Sequence, residues 1–327
     1  MRAIVIARPG DLGSLEVRDV ATPEASGDQV RVRVRAAGLN RADLLQAMGQ
    51  YPAPPGVHAE IPGLEYAGEV DQVGPNIAGT LKVGDRVFGI VGGGGFAESV
   101  VVPERMAVPI PVHLDFEAAA AVPEVFITAH DALGHQGRTR AGDRVLIHAV
   151  GGGVGSAAVQ VARAMGCTVF GTSRTPDKLE KARSLGLDVA IDASREDFAE
   201  VIRDRTGGSG VHVVIDFLGA PALAGNLAAL ATGGRLVLVG QLGGSDASLD
   251  LRTLMRKRAS IVGTTLRARP LEEKIAATRR FAEAVLPWLE RGTVRPVVDR
   301  VYALEAIKDA TDRMSSNLGF GKVVLRL

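Results

Sequence analysis

One stretch constrains this chain more than any other: residues 145–155, VLIHAVGGGVG, followed directly by SAAVQVARAMG. Val145, Leu146 and Ile147 form the short apolar run expected of a strand buried on both faces of a parallel sheet. Gly151, Gly152, Gly153 and Gly155 then lack a Cβ, so the backbone turns tightly and a bulky anion can approach it. The amides opening the next helix point at that anion with the positive end of the helix dipole behind them. From Ser156 onward Val159, Val161, Ala162 and Met165 recur at three- and four-residue spacings, and Gly166 supplies a stop. The spelling is AxxGxxG, from Ala149, Gly152 and Gly155, because Val150 stands where GxGxxG needs glycine. A flexible surface loop is the competing reading of the glycines alone. The context favours a dinucleotide site, with Gly152, Gly153, Val154 and Gly155 as its pyrophosphate contacts.

The next strand-like run, CTVFGT, ends at Thr172, 17 residues beyond Gly155 and about where a βαβ unit delivers its ribose-contacting residue. An acid there would select NAD. This chain has Ser173 and Arg174, with Lys178 one helical turn on, and a hydroxyl with two cations suits a 2′-phosphate, so the expected cofactor is NADPH. A solvated helix start is the alternative, with Asp177 partly offsetting the two cations.

At 327 residues there is room for two domains. A net charge of +1 with interspersed signs, and 4% aromatic residues, argue against a nucleic-acid partner. The single cysteine, Cys167, excludes an intramolecular disulfide and a cysteine-built zinc site, and reads as a small apolar residue of the second strand. No apolar run approaches the length of a membrane span, so a soluble cytoplasmic protein with no membrane partner is expected.

Before residue 120 the chain is β-rich. RAIVIA, LEVRDV and VRVRVRAAG read as strands, the last placing Val30, Val32 and Val34 on one face with Arg31, Arg33 and Arg35 in water. Asn40 to Met48 reads as a short helix, followed by the proline-rich turn that carries Tyr51. IPGLEYAGEVDQVG, LKVGDRVFG and GGFAESVVVP add short strands between glycine turns, as in a small, partly open barrel. After an alanine-rich segment and Pro123, regular βαβ units follow. VHVVIDFLG and RLVLVGQLGG end at the carboxyl edge of the parallel sheet, which makes Phe217, Gly219, Gly240 and Leu242 candidate cofactor contacts. Core packing competes for Phe217. His130 and His135 read as surface histidines, and Pro287 as a bend in the helix RRFAEAVLPWLERG.

The ordered segments GLNRADLLQAMGQYPAPPG, PGLEYAGEV, KVGDRVFG, AAAVPEVFITA, VLIHAVGGGVG and GKVVLRL resemble the quinone oxidoreductase branch of the medium-chain dehydrogenase/reductase superfamily over essentially the whole chain. The resemblance implies an α/β protein with a Rossmann-type parallel-sheet cofactor domain and a β-rich, GroES-like, partly open barrel. The GroES-like domain would take residues 1–120 and 265–327, and the Rossmann domain 121–264. It implies hydride transfer from NADPH to a quinone or other electron-poor small molecule in an interdomain cleft. Reduction of an enone or enoyl C=C bond is the enzymatic alternative, and a non-catalytic NADPH-binding structural or RNA-interacting protein the alternative of another class. The cysteine and histidine that hold catalytic zinc in other members fall at Asn40 and Leu64, so no metal is expected, and a quinone needs less Lewis-acid help than an alkoxide. By the same resemblance Asn40 and Thr128 hold the nicotinamide and Tyr51 contacts the acceptor, either as the one candidate phenol proton donor or as a wall residue placed by its prolines. Leu266, Arg267, Phe320 and Gly321 lie along the cofactor, and Lys322 adds a phosphate contact. Ala193 stands where relatives carry an aromatic residue against the adenine. A homodimer through the nucleotide-binding domain is also implied.

Overall fold

The computed structural model describes all 327 residues, Met1–Leu327, and divides into two compact units, Thr128–Thr265 and Met1–Ile127 with Leu266–Leu327. Within Thr128–Thr265 six strands form one parallel sheet, in the order Val189–Asp192, Thr168–Ser173, Arg144–Ile147, Val211–Asp216, Leu230–Leu238, Ser260–Gly263. By position in the chain this is third, second, first, fourth, fifth, sixth. The order reverses between Arg144–Ile147 and Val211–Asp216, and a doubly wound sheet opens its dinucleotide crevice at such a switch. Leu146, Phe170, Ile191, Val214 and Leu236 form the buried core of this unit. Ser260–Gly263 is the sixth strand: Leu236 and Val237 pair with Ile261 and Val262.

The helix behind the glycine turn runs Gly153–Ala164, so it takes Gly153 and Gly155 into its first turn and has Gly152 as its N-cap. This seating depends on Gly155: a Cβ there would lie 2.3 Å from the carbonyl oxygen of Ala149. At Gly152 the same oxygen would be 3.5 Å away, an ordinary contact.

The other unit is β-rich. A seven-stranded sheet is centred on the 11-residue strand Gln29–Leu39, which pairs antiparallel with Glu65–Val73, Ser99–Pro103 and Lys322–Arg326. Val30, Val32 and Val34 are buried, as the alternation requires. On the opposite face Arg31 and Arg35 are not simply solvated: they pair across the strand with Asp71 at 2.8 Å and Glu69 at 2.7 Å. The C-terminal strand Lys322–Arg326 runs beside Gln29–Leu39, so chain segments some 280 residues apart share a ladder. The helix expected at 40–48 is Arg41–Ala47, and Pro287 divides the late helix into Leu271–Ala284 and Leu286–Glu290. No helix is long and apolar enough to cross a membrane.

Gly155→Ala gains up to about 1 kcal/mol of helix propensity but drives a methyl into the Ala149 carbonyl, an overpacking penalty of about 1–3 kcal/mol. Thermal unfolding should therefore show a lowered midpoint for Gly155→Ala and little change for Gly152→Ala.

Candidate active site

Gly153, Val154 and Gly155 open the helix, and no side chain caps it. Their amides have no carbonyl of a preceding turn to bond, so three donors and the dipole face the carboxyl end of the first strand. The donor set suits a pyrophosphate. Ser173 closes the second strand, Arg174 follows it exposed, and the Lys178 stem lies across Gly151. Asp177, expected to offset these cations, is tied to Lys181 at 2.8 Å. The Phe217 and Gly240 ends also meet: Leu242 N–H donates to Phe217 O at 3.0 Å, and Gly243 N–H to Leu218 O at 2.8 Å. Thr128 lies partly buried in the helix Pro123–His130.

Beneath this turn lies a polar network that the sequence reading missed. His148 is wholly buried, with Nδ1 2.8 Å from Thr172 Oγ1 and Nε2 2.7 Å from Asn226 Oδ1. Asn226 Nδ2 donates to Asp216 Oδ2 at 3.0 Å, which fixes the amide orientation and leaves its oxygen to accept. The proton of His148 therefore sits on Nε2, and Nδ1 accepts from the threonine hydroxyl. Burial lowers the imidazole pKa, keeping it neutral. Asp216 Oδ1 accepts from Leu218 N–H at 2.6 Å and Gly219 N–H at 3.3 Å, so this network fastens the 217–219 turn to the end of the second strand.

In the other unit Asn40, Glu65 and Lys322 form a buried cluster. Lys322 Nζ donates to Glu65 Oε1 and Asn40 Oδ1, both at 2.6 Å, and to Leu39 O at 2.8 Å. Asn40 Nδ2 donates to the same Glu65 oxygen at 2.8 Å, and Glu124 N–H to Glu65 Oε2 at 2.8 Å. Glu65 has no exposed surface, and both its oxygens face donors only, so it is a carboxylate. Gly38 makes room for it, since a Cβ there would fall 2.2 Å from Glu65 Oε1.

Two more acids border this cluster. Asp43 accepts from Asn40 N–H at 2.7 Å and Gly63 N–H at 2.9 Å, yet burial pushes it up to about 7. Glu124 is pushed up to about 8, first by burial and then by the charge of Glu65. No donor hydrogen-bonds its carboxyl to oppose this. Its place in the first turn of a helix favours the anion by only ~0.3–1 kcal/mol, under one pK unit.

Arg267 is 6% exposed. Its guanidinium donates to Gly92 O at 2.7 Å, Tyr51 O at 3.1 Å and Gln46 Oε1 at 2.5 Å, and stands 5.0 Å over the Tyr51 ring. It clamps the Tyr51 loop.

Three expected cofactor contacts are engaged within their own unit. The ammonium of Lys322 donates to Glu65, Asn40 and Leu39 O. The Asn40 amide is shared among Glu65, Lys322 and Gly38 O, so the side chain braces Glu65. Arg267 reaches the Tyr51 loop. Of its neighbours in the sequence reading, Leu266 is buried, Phe320 N–H donates to Asp299 Oδ1 at 3.1 Å, and Gly321 packs against Val297 O. At the position matched to a zinc-binding histidine, Leu64 is buried, and no group of three His, Cys, Asp or Glu side chains is arranged to hold a metal ion. Asp43 was foreshadowed by its place three residues after Asn40, the spacing of a capping box. Glu65 and Lys322 left a weaker signal, as charges in otherwise apolar strands.

Residues 26–112 match the model of the alcohol dehydrogenase GroES-like domain, and residues 153–286 that of the zinc-binding dehydrogenases. The chain is 34% identical to the quinone oxidoreductase of Lama guanicoe over 330 residues, covering 100% of this chain and 98% of the relative. Among solved structures it resembles the CurK enoyl reductase, with 29% identity, TM-score 0.88 and coverage of 99% and 98% of the two chains. A mycobacterial protein solved in complex with NADPH is 27% identical, with TM-score 0.88 and both chains fully covered.

Lys322→Met strands a buried carboxylate, and urea unfolding should show a loss of about 3–5 kcal/mol. Adding Glu65→Gln removes that charge and should restore more than half of the loss.

Proposed function

Since this chain belongs to the quinone oxidoreductase branch of the medium-chain dehydrogenase/reductase superfamily, we propose that it is a zinc-independent, NADPH-dependent quinone oxidoreductase, acting in the cytoplasm as a homodimer. The observation that carries the reading is the uncapped helix start at Gly153–Ala164 followed, at the end of the second strand, by Ser173 and Arg174 with no acid between. When bound, the nicotinamide supplies two electrons and one proton together as hydride. The amides of Gly153, Val154 and Gly155 hold the pyrophosphate. Ser173 and Arg174 take the 2′-phosphate, with Lys178 adding charge. Asp216 keeps the Leu218 and Gly219 amides in place at the switch point, where Phe217, Gly219, Gly240 and Leu242 line the remainder of the dinucleotide and Thr128 meets the carboxamide.

On the acceptor side, Tyr51 is a wall residue whose position Arg267 fixes. Burial raises its phenol pKa. Orienting the acceptor and excluding water supply most of the acceleration, and no Lewis acid is called on because a quinone spreads the incoming charge over its ring. The unpaired outer edge of Ser260–Gly263 supports a dimer built through this sheet.

A second reading, reduction of an enone or enoyl thioester C=C bond, is favoured by the likeness to the CurK enoyl reductase. Parallel assays of NADPH oxidation with 9,10-phenanthrenequinone and crotonyl-CoA separate the two: turnover of the quinone supports the first, and of the thioester alone the second. Incubation with 1,10-phenanthroline should leave quinone turnover unchanged, and a chelator-sensitive rate would overturn the metal-free mechanism. Arg174→Ala removes a charge-assisted contact worth about 1.5–3 kcal/mol, so calorimetry should show NADPH binding about 10–100-fold weaker. Binding of NADH should hold steady.

A further inference from the structure

Three buried or half-buried acids, Asp43, Glu65 and Glu124, face two cations, Lys322 and Arg267, in one unit. One negative charge is therefore in excess, and an interior of low polarity favours keeping a proton on one of the acids. Hydrogen bonding decides which. Glu65 has both oxygens turned to N–H donors: Lys322 Nζ and Asn40 Nδ2 on Oε1, and Glu124 N–H on Oε2. Asp43 has a backbone N–H on each oxygen. Donors placed in this way favour the anionic form, although burial still pushes Asp43 up to about 7. Glu124 has no such donor, and its side chain retains partial exposure, so a proton there can exchange with a reactant. Its charge acts on both Tyr51 and Arg267, the wall residue and the cation that clamps its loop.

We propose that Glu124 is a catalytic acid, carrying in the resting protein the proton that completes reduction of the acceptor. This rests on the reductase reading given above. Hydride arrival leaves the acceptor as a hydroquinone anion or an enolate. The Glu124 O–H bond breaks as a new O–H or C–H bond forms on the reduced acceptor, and the carboxylate left behind takes a proton from water. Glu65 holds the far side of the same helix start through the Glu124 amide, and its fixed negative charge disfavours a second anion at Glu124. Lys322, already engaged by Glu65, and Arg267, already engaged by the Tyr51 loop, are the cations that receive that anion after transfer.

The test pairs an infrared titration of the full chain without cofactor with pH–rate profiles, for the wild type and Glu124→Gln. Glutamine copies the shape and neutrality of the protonated acid, so the variant should keep its thermal midpoint at pH 7. In the wild type a protonated-carboxyl band should disappear with a midpoint of about 8 and be missing from Glu124→Gln. With quinone, wild-type kcat should fall as pH rises through the same midpoint. Glu124→Gln should lose about tenfold or more in kcat with little change in acceptor KM, more with an enone than with a quinone, and should lack that alkaline limb. Glu124→Asp should restore part of the limb. A band that titrates in the ordinary range near 4.5, or a Glu124→Gln variant with wild-type kcat and profile, would overturn the proposal while leaving the reductase reading intact. A wild type that fails to oxidise NADPH with either the quinone or the enone would overturn the reading and the donor role together, whatever the titration gives.

Discussion

The Glu65–Lys322 ion pair sets the terms for the first unit. It lies wholly out of water at 2.6 Å, and a buried charge pair is tolerable only when its remaining donors and acceptors are also met. Here the asparagine amide, a backbone carbonyl and the amide of Glu124 meet them. The pair consequently joins the turn after the central strand, the start of the neighbouring strand, the C-terminal strand and the helix that begins at Pro123. It also governs the charges around it. A carboxylate with donors on both oxygens, beside a lysine with its donors engaged, leaves the nearby acids to share whatever proton the cluster keeps.

In the second unit a different constraint does comparable work. Closure of the Gly153–Ala164 helix onto its strand admits no Cβ at Gly155, and beneath the turn the His148–Asn226–Asp216 chain of hydrogen bonds reaches both strand ends between which a dinucleotide binds in folds of this kind. A neutral imidazole accepts from one side and donates to the other, so it can relay position between Thr172 and the 217–219 turn without leaving a buried charge unpaired. The amides of Leu218 and Gly219 are thus held by side chains buried beneath them.

Local pattern was enough for much of this fold. The valine alternation at 30, 32 and 34, the β-branched run before the glycines and the apolar spacing after them each encode one element in adjacent residues, and the parallel-sheet and β-rich units they imply are both present. Ser260–Gly263 is marked only weakly in the sequence, because a four-residue strand at the end of a sheet has no helix-length spacing to set it off. The site was less legible for a physical reason. Lys322 meets Glu65 across 257 positions and His148 meets Asn226 across 78, and neither pairing has a local signature. Asn40 and Arg267 likewise meet Glu65 and Gln46 across 25 and 221 positions, so these contacts leave no local mark either.

The central claim is that phosphate-gripping amides at a sheet switch point present a nicotinamide to an acceptor without a metal. A crystal structure of the chain soaked with NADPH tests it most directly. The account predicts the pyrophosphate on the amides of Gly153, Val154 and Gly155, the 2′-phosphate within hydrogen-bond reach of Arg174, and no metal density beside Asn40 and Glu65. A dinucleotide seated elsewhere, or a zinc ion at those two side chains, would contradict it.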